Sequence, residues 1–237
     1  MLHDIKSRVE QLNWESIQQV LDDQGFAKVP QLLTKEECEQ LIQIYYEEEL
    51  YRTTINMQRY RFGSGEYKYF TYPLPDMIQS LREAFYPELA KTANRWLGYL
   101  KKPEQYPAEL QEFIKRCEEH EQTRPTPLIL KYEEGGFNCL HQDLYGDVFF
   151  PFQVVFILNQ RDEHYTGGES LLVERIPRAQ SRGHVITLDQ GSALIFPTNE
   201  RPALGKKGYY KNKVRHGVST VTSGERFGLG IIFHDSK

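Results

Sequence analysis

Cysteine is scarce in this chain: Cys38, Cys117 and Cys139 are the only three among 237 residues. An odd number at unrelated spacings excludes a disulfide framework and a CxxC site, and points to a reducing, cytoplasmic setting. Long hydrophobic runs are missing too. The longest, such as Val154 to Leu158, fall far short of the ~20 residues that a membrane-spanning helix needs. The opening Met1-Leu2-His3-Asp4-Ile5-Lys6 lacks the basic-then-apolar order of a signal peptide, so the protein is expected to be soluble. Neither sign of charge dominates. A formal net charge of -4 removes any global nucleic-acid signature. It conceals an asymmetry, because residues 1–50 are strongly acidic whereas residues 174–215 are rich in Lys and Arg. No repeat, low-complexity tract or Gly/Ser-rich linker divides the sequence.

What is present is a folded-protein balance: 39% hydrophobic, 26% charged and 13% aromatic residues, with many Tyr and Phe. Residues 1–237 fit a single domain. The apolar positions Ile5, Val9, Leu12, Ile17, Val20 and Leu21 predict one helix, stopped by Gly25. Phe26 to Leu33 reads as a strand. Thr34-Lys35-Glu36-Glu37 has the spacing of a capping box, so Thr34 opens a helix that buries Cys38, Leu41, Ile42 and Tyr45. Residues 57–75 alternate basic and aromatic side chains around Gly63-Ser64-Gly65 and predict a hairpin. That hairpin is either a substrate-facing flap, its aromatic planes and cations suited to stacking on planar groups, or an ordinary amphipathic hairpin on the core. Helical periodicity returns from Pro75 to Leu100, and a more polar helix is expected within 101–120.

After Arg124-Pro125-Thr126-Pro127 the texture turns to short β-rich runs: 128–132, 137–141, 152–158, 170–173, 184–188, 193–196, 214–221 and 227–233. Eight short strands separated by turns suit a double-sheet jelly roll. The expected fold is mainly β with α: residues 124–237 form the jelly-roll core, and residues 1–123 form a helical support layer on its outer face. The Lys/Arg-rich stretch 200–215 reads as a solvated loop, or as a rim attracting an anionic substrate.

The chemistry centres on His141-Gln142-Asp143. In an extended segment alternate side chains share a face, so His141 and Asp143 can grip one metal ion. His216, on a later strand-like run, supplies a second imidazole. Two histidines and a carboxylate make the facial triad of non-heme Fe(II) oxygenases, with the opposite face of the metal left open. If residues 222–225 close a hairpin between the His216 strand and the strand opened by Arg226, that guanidinium stands four residues along the barrel. At a rise of about 3.3 Å per residue the gap is roughly 13 Å, enough for a five-carbon dicarboxylate. Cys139 shares a face with His141 and admits a Cys-His-His zinc site, though a small buried core residue fits it better. His164 and His184 read as structural or surface histidines. Tyr145 and Asp147 either line the pocket mouth or belong to a loop.

His141-x-Asp143, His216 and Arg226 ten residues later resemble the 2-oxoglutarate and Fe(II)-dependent oxygenase superfamily, over roughly Leu128 to His234. Thr166-Gly167-Gly168-Glu169 and Gly191-Ser192-Ala193-Leu194-Ile195-Phe196-Pro197 are similar to its turns and strands. The resemblance implies a double-stranded β-helix core. It implies iron held by His141, Asp143 and His216, and the distal carboxylate of 2-oxoglutarate held by Arg226 with Tyr132 hydrogen-bonded to it. It further implies O2 as co-substrate, with ascorbate as an accessory reductant. The activity implied is oxidative decarboxylation of 2-oxoglutarate to succinate, coupled to hydroxylation of a C–H bond. The segments 60–70, 138–146 and 231–235 are similar to a bacterial family described as oxygenases for oxidative demethylation of damaged DNA. Nucleic-acid demethylases of the superfamily carry Arg-x5-Arg after the distal His, whereas Arg226 has no second Arg after it. Nucleic acid, a protein side chain and a small molecule therefore stay open as substrates, beside a non-catalytic, cupin-like metal or small-molecule sensor. Oligomeric state is unknown from sequence.

Overall fold

The computed structural model of the protein describes residues 2–176 and 178–237, with side chains from Ile5 onward. In chain order the elements are α1 (Leu2–Glu10), α2 (Trp14–Gln24), β1 (Ala27–Val29), α3 (Lys35–Ile44), β2 (Tyr51–Asn56), β3 (Gly63–Ser64), β4 (Glu66–Phe70), α4 (Asp76–Tyr99) and α5 (Leu110–Glu118). Then follow β5 (Leu128–Tyr132), β6 (Phe137–His141), β7 (Phe152–Ile157), β8 (Tyr165–Gly167), β9 (Ser170–Arg175), β10 (Arg182–Ile186) and β11 (Ala193–Pro197). The last are β12 (Glu200–Gly205), β13 (Gly208–Val218), β14 (Val221–Gly224) and β15 (Arg226–Ile232).

Two antiparallel sheets carry the fold. The major sheet runs β1-β11-β7-β15-β5-β4-β2, and the minor sheet runs β10-β9-β13-β6-β3 with β12 added beside β13. Because side chains alternate along a strand, each major-sheet strand feeds two different layers. Phe227, Leu229 and Ile231 of β15, with Val154 and Phe156 of β7, pack against Leu81, Phe85 and Leu89 of α4. From the other face Tyr132, Ile157 and Leu194 meet Leu172 and Val214 of the minor sheet. Each such fully buried apolar side chain contributes roughly 1.5–3 kcal/mol over its exposed state. The double-sheet core with helices on its outer face is thus the jelly-roll arrangement expected. No helix among the described residues is long and apolar enough to cross a membrane.

Several expectations are corrected. The support layer expected over 1–123 is joined to the core by strands, since β1 extends the major sheet through β11 and β4 pairs with β5. The predicted helix 5–21 is two, because the Asn13 side chain accepts from Ser16 N–H and starts α2 afresh. The strand expected over 26–33 is confined to β1, whereas the helix expected within 101–120 is present as α5. Residues 57–75 do not fold back on themselves as a hairpin. Instead β4 pairs with β2, and β3, just before β4, pairs with β6 in the minor sheet. Residues 200–215 are a long β12–β13 hairpin rather than a loop.

The capping box at Thr34 is present in both directions, Glu37 N–H to the Thr34 hydroxyl at 3.2 Å and Thr34 N–H to the Glu37 carboxylate at 2.8 Å. Thr34→Ala is expected to cost about 1 kcal/mol, read as a lowered midpoint with unchanged slope in urea unfolding.

Candidate active site

The cavity between the two sheets, about 360 Å³, is where the chemistry-bearing residues meet. His141 ends β6, Asp143 follows in the next loop, and His216 lies on β13 directly opposite His141 in the β-ladder. His216 Nε2 stands 3.1 Å from Asp143 Oδ2, and His141 Nε2 stands 3.5 Å from Asp143 Oδ1. The ring centroids of the two histidines are 4.1 Å apart. One donor atom from each of the three residues lies within 4.8 Å of the others. Ligands bound at about 2.1 Å and at right angles sit about 3 Å from one another, so this set fits a single cation on one face.

Local bonds hold that geometry. His141 Nδ1 faces the Cys139 carbonyl oxygen at 2.7 Å, which turns Nε2 toward the cluster. The Tyr145 hydroxyl donates to Asp143 Oδ1 at 2.5 Å. Gln142, pointing the other way, donates from Nε2 to the Asn199 and Val214 carbonyl oxygens at 2.9 and 2.8 Å and ties the loop to β13. Burial alone would raise the Asp143 carboxyl, but His216, His141 and the Tyr145 hydroxyl outweigh it and hold the group well below the usual carboxylate range. Burial, helped by the adjacent His216 ring, pushes the His141 imidazole down. Neutral imidazole and ionised carboxylate are the forms that ligate metals.

Arg226 opens β15 and is paired in register with Tyr132 of β5. The hairpin assumed between the His216 strand and the Arg226 strand does not exist. β14 turns away to pair with β8, and β15 lies in the other sheet, so Arg226 reaches the cavity from the opposite wall. Its guanidinium is 2% exposed, its Nε has no hydrogen-bond partner, and no carboxylate lies within 4.0 Å of it among the described residues. Ser170 Oγ accepts from Nη2 at 3.5 Å, and the Tyr132 ring lies 5.6 Å from the guanidinium carbon. Room for the side chain comes from Gly168, at φ +63°, where a Cβ would stand 2.7 Å from Arg226 Cδ. Burial pushes the Tyr132 hydroxyl up to about 12, so it stays protonated, and it accepts from Asn138 Nδ2 at 3.3 Å.

Tyr67 and Tyr69 of β4, from the aromatic stretch offered as a substrate-facing flap, line the cavity, and Tyr145, left between mouth and loop, anchors Asp143. The signal for Tyr145 was its place two residues after the carboxylate. Cys139 is exposed rather than buried, and its sulfur is not among the donor atoms of the cluster. Asp147 pairs with Lys237 at 2.7 Å, away from the chemistry. Behind the cluster, His234 is wholly buried and accepts from Phe150 N–H at Nδ1.

Burial pushes His234 from the ordinary 6.5 down to about 4. Between those values the unfolded chain binds a proton that the folded chain refuses. Stability is therefore complete above about pH 6.5 and falls as pH drops toward 4. Urea unfolding at pH 7, 5.5 and 4.5 should show this fall, and His234→Gln should lessen the slope by about one proton; an equal slope would remove the assignment.

A family model described as "Oxygenase, catalysing oxidative methylation of damaged DNA" matches residues 65–236, well over half of the chain. The chain belongs to this oxygenase family. The oxygenase is 46% identical over 167 residues to "Uncharacterized protein Rv2227" of Mycobacterium tuberculosis (strain ATCC 25618 / H37Rv), covering 70% of this chain and 72% of that protein. In fold it is similar to a Pseudomonas putida prolyl-4-hydroxylase, with a TM-score of 0.57 at 15% identity over 94% of this chain and 99% of the other. It is also similar to an oxidoreductase of the 2OG-Fe(II) oxygenase family from Burkholderia pseudomallei, with a TM-score of 0.56 at 13% identity over 95% and 94% of the two chains. The oxygenase thus has the fold of 2-oxoglutarate/Fe(II) oxygenases and a His-Asp-His donor set within it.

Proposed function

We propose that this oxygenase is a 2-oxoglutarate- and Fe(II)-dependent dioxygenase, working as one domain over residues 1–237, that hydroxylates a C–H bond. The observation that carries the reading is Arg226: a buried guanidinium without a carboxylate partner, on the wall opposite a three-residue metal donor set. An uncompensated buried charge is costly, and a dicarboxylate spanning from metal to guanidinium removes that cost. Iron in this setting supplies the activation of O2 that accompanies decarboxylation of 2-oxoglutarate to succinate. The chain's own residues do the rest. His141, Asp143 and His216 hold the ion, and Arg226 takes the distal carboxylate in a charge-assisted fork. Tyr132, kept protonated, donates its hydroxyl to the same carboxylate. The apolar walls Leu130, Val155 and Phe196 keep water from the reacting centre.

For the substrate, the family description supports damaged nucleic-acid bases, and so does the stacked, exposed pair Tyr60 and Phe62, with centroids 5.5 Å apart and Arg61 beside them. Hydroxylation of an N-methyl group there would release formaldehyde. A second reading, hydroxylation of a protein side chain, is supported by the exposed Leu140 on the cavity wall, which suits an apolar peptide. The deciding experiment supplies Fe(II) and 2-oxoglutarate and measures succinate, first alone and then with N-methylated oligonucleotides, peptides and free amino acids. No succinate with any of them would point to a sensor rather than an enzyme. Tyr145→Phe should weaken iron affinity about 10-fold with little change in Tm, as expected for a lost partner of a ligating carboxylate; unchanged affinity would leave Tyr145 a packing residue.

A further inference from the structure

A second cleft, open and about 510 Å³, lies beside Tyr69 and is lined by Arg52, Arg124 and the hydroxyl-bearing Thr53, Thr71 and Thr123. No carboxylate lines it. Neither guanidinium has a salt-bridge partner among the described residues, and the three threonine hydroxyls make no hydrogen bond there. Arg52 is nonetheless held in place. Its Nε donates to the Pro125 carbonyl oxygen at 3.0 Å, its Nη2 to Ser236 Oγ at 3.4 Å, and its guanidinium lies 4.5 Å from the Tyr69 ring centroid. The backbone of Arg124 is pinned to Ser236 by a reciprocal pair of hydrogen bonds, 3.0 and 2.8 Å. Two cations and three free hydroxyls are therefore presented by backbone already ordered, which keeps the ordering cost of a ligand low.

We propose that this cleft binds a phosphate dianion, free or as a phosphomonoester, between Arg52 and Arg124, with the threonine hydroxyls as further donors. Two guanidiniums match a doubly charged oxyanion with more acceptor oxygens than one carboxylate offers. Burial lowers the Arg52 guanidinium, and the like charge of Arg124 adds to the lowering, while Tyr69, Asp235 and Tyr145 act against it. The site is also linked to the oxygenase cavity. Arg52 lies on Tyr69, Tyr69 meets Tyr145 edge-on at 6.1 Å, and Tyr145 bonds Asp143.

The test is a titration of the full chain with inorganic phosphate, a nucleoside 5′-monophosphate and the unphosphorylated nucleoside, read by calorimetry and by the Tm. Phosphate and the monophosphate should bind and raise the Tm, and the nucleoside should not. The Arg124 side chain is exposed, so Arg124→Gln should fold normally yet weaken phosphate about 10-fold or more. Arg52→Gln should do the same. Tighter binding of the monophosphate would identify a nucleotide as the source, and equal binding would identify phosphate itself; both support the site. A parent Kd weaker than about 10 mM, or phosphate binding that both variants leave unchanged, would overturn it.

Discussion

Asp143→Ala is expected to lower iron-dependent succinate formation on the order of 10³-fold, beyond the ~10–100-fold that loss of an outer partner of a ligand costs. Both oxygens of this carboxylate are engaged. Oδ2 faces His216 Nε2 at 3.1 Å, while Oδ1 faces His141 Nε2 at 3.5 Å and accepts from Tyr145 at 2.5 Å. It is the one anion of the donor set, and without it a divalent cation meets only two neutral rings. Asp143→Asn separates charge from shape, since the amide keeps the volume and one acceptor oxygen but loses the negative charge. Iron retained after gel filtration should fall in both variants, while the metal-free Tm of Asp143→Asn stays near that of the parent. Parent-like iron content and turnover in Asp143→Asn would remove the triad assignment.

How much of this was legible beforehand depends on how local each feature is. The His141–Asp143 pair needed only the two-residue alternation of an extended segment, and Thr34 only a four-residue capping pattern. The His216 ladder contact with His141 had to be taken from the chemistry, because register between distant strands is written nowhere in either strand alone. The 200–215 hairpin was hidden by its own surface. Lys211, Lys213 and Arg215 point outward while Asn212 and Val214 are buried, a period of two that reads as a charge run when only the cations are counted. The break between α1 and α2 turns on one Asn13 cap inside a continuous apolar stripe. Arg226 does line the cavity, but it arrives there by another route than the expected hairpin. A short turn favours a hairpin, but the side chains of β15 are apolar on the helix-facing side and so demand the major sheet, where β5 and β7 flank it.

Arg226→Gln is expected to raise the 2-oxoglutarate requirement about 100-fold or more, with a smaller change in maximal rate at saturating co-substrate. Two charge-assisted bonds to a carboxylate are lost, each about 1.5–3 kcal/mol. Stability should respond in the opposite sense from the usual loss of a buried arginine. Arg82, equally buried, is bonded to Asp235 at 2.6 Å, and removing it would strand that carboxylate. Arg226 strands no carboxylate, because none lies within 4.0 Å of it among the described residues and its neighbours Ser170 and Tyr165 offer only hydroxyls. Without 2-oxoglutarate, Arg226→Gln should therefore be as stable as the parent or more so, and 2-oxoglutarate should raise the Tm of the parent but not of the variant. If the variant keeps the parent's 2-oxoglutarate requirement and thermal shift, the guanidinium is a packing residue and the co-substrate is held elsewhere in the cavity. If instead it unfolds without ligand, the cation has a partner in the fold and its value as a pointer to an anionic ligand is gone.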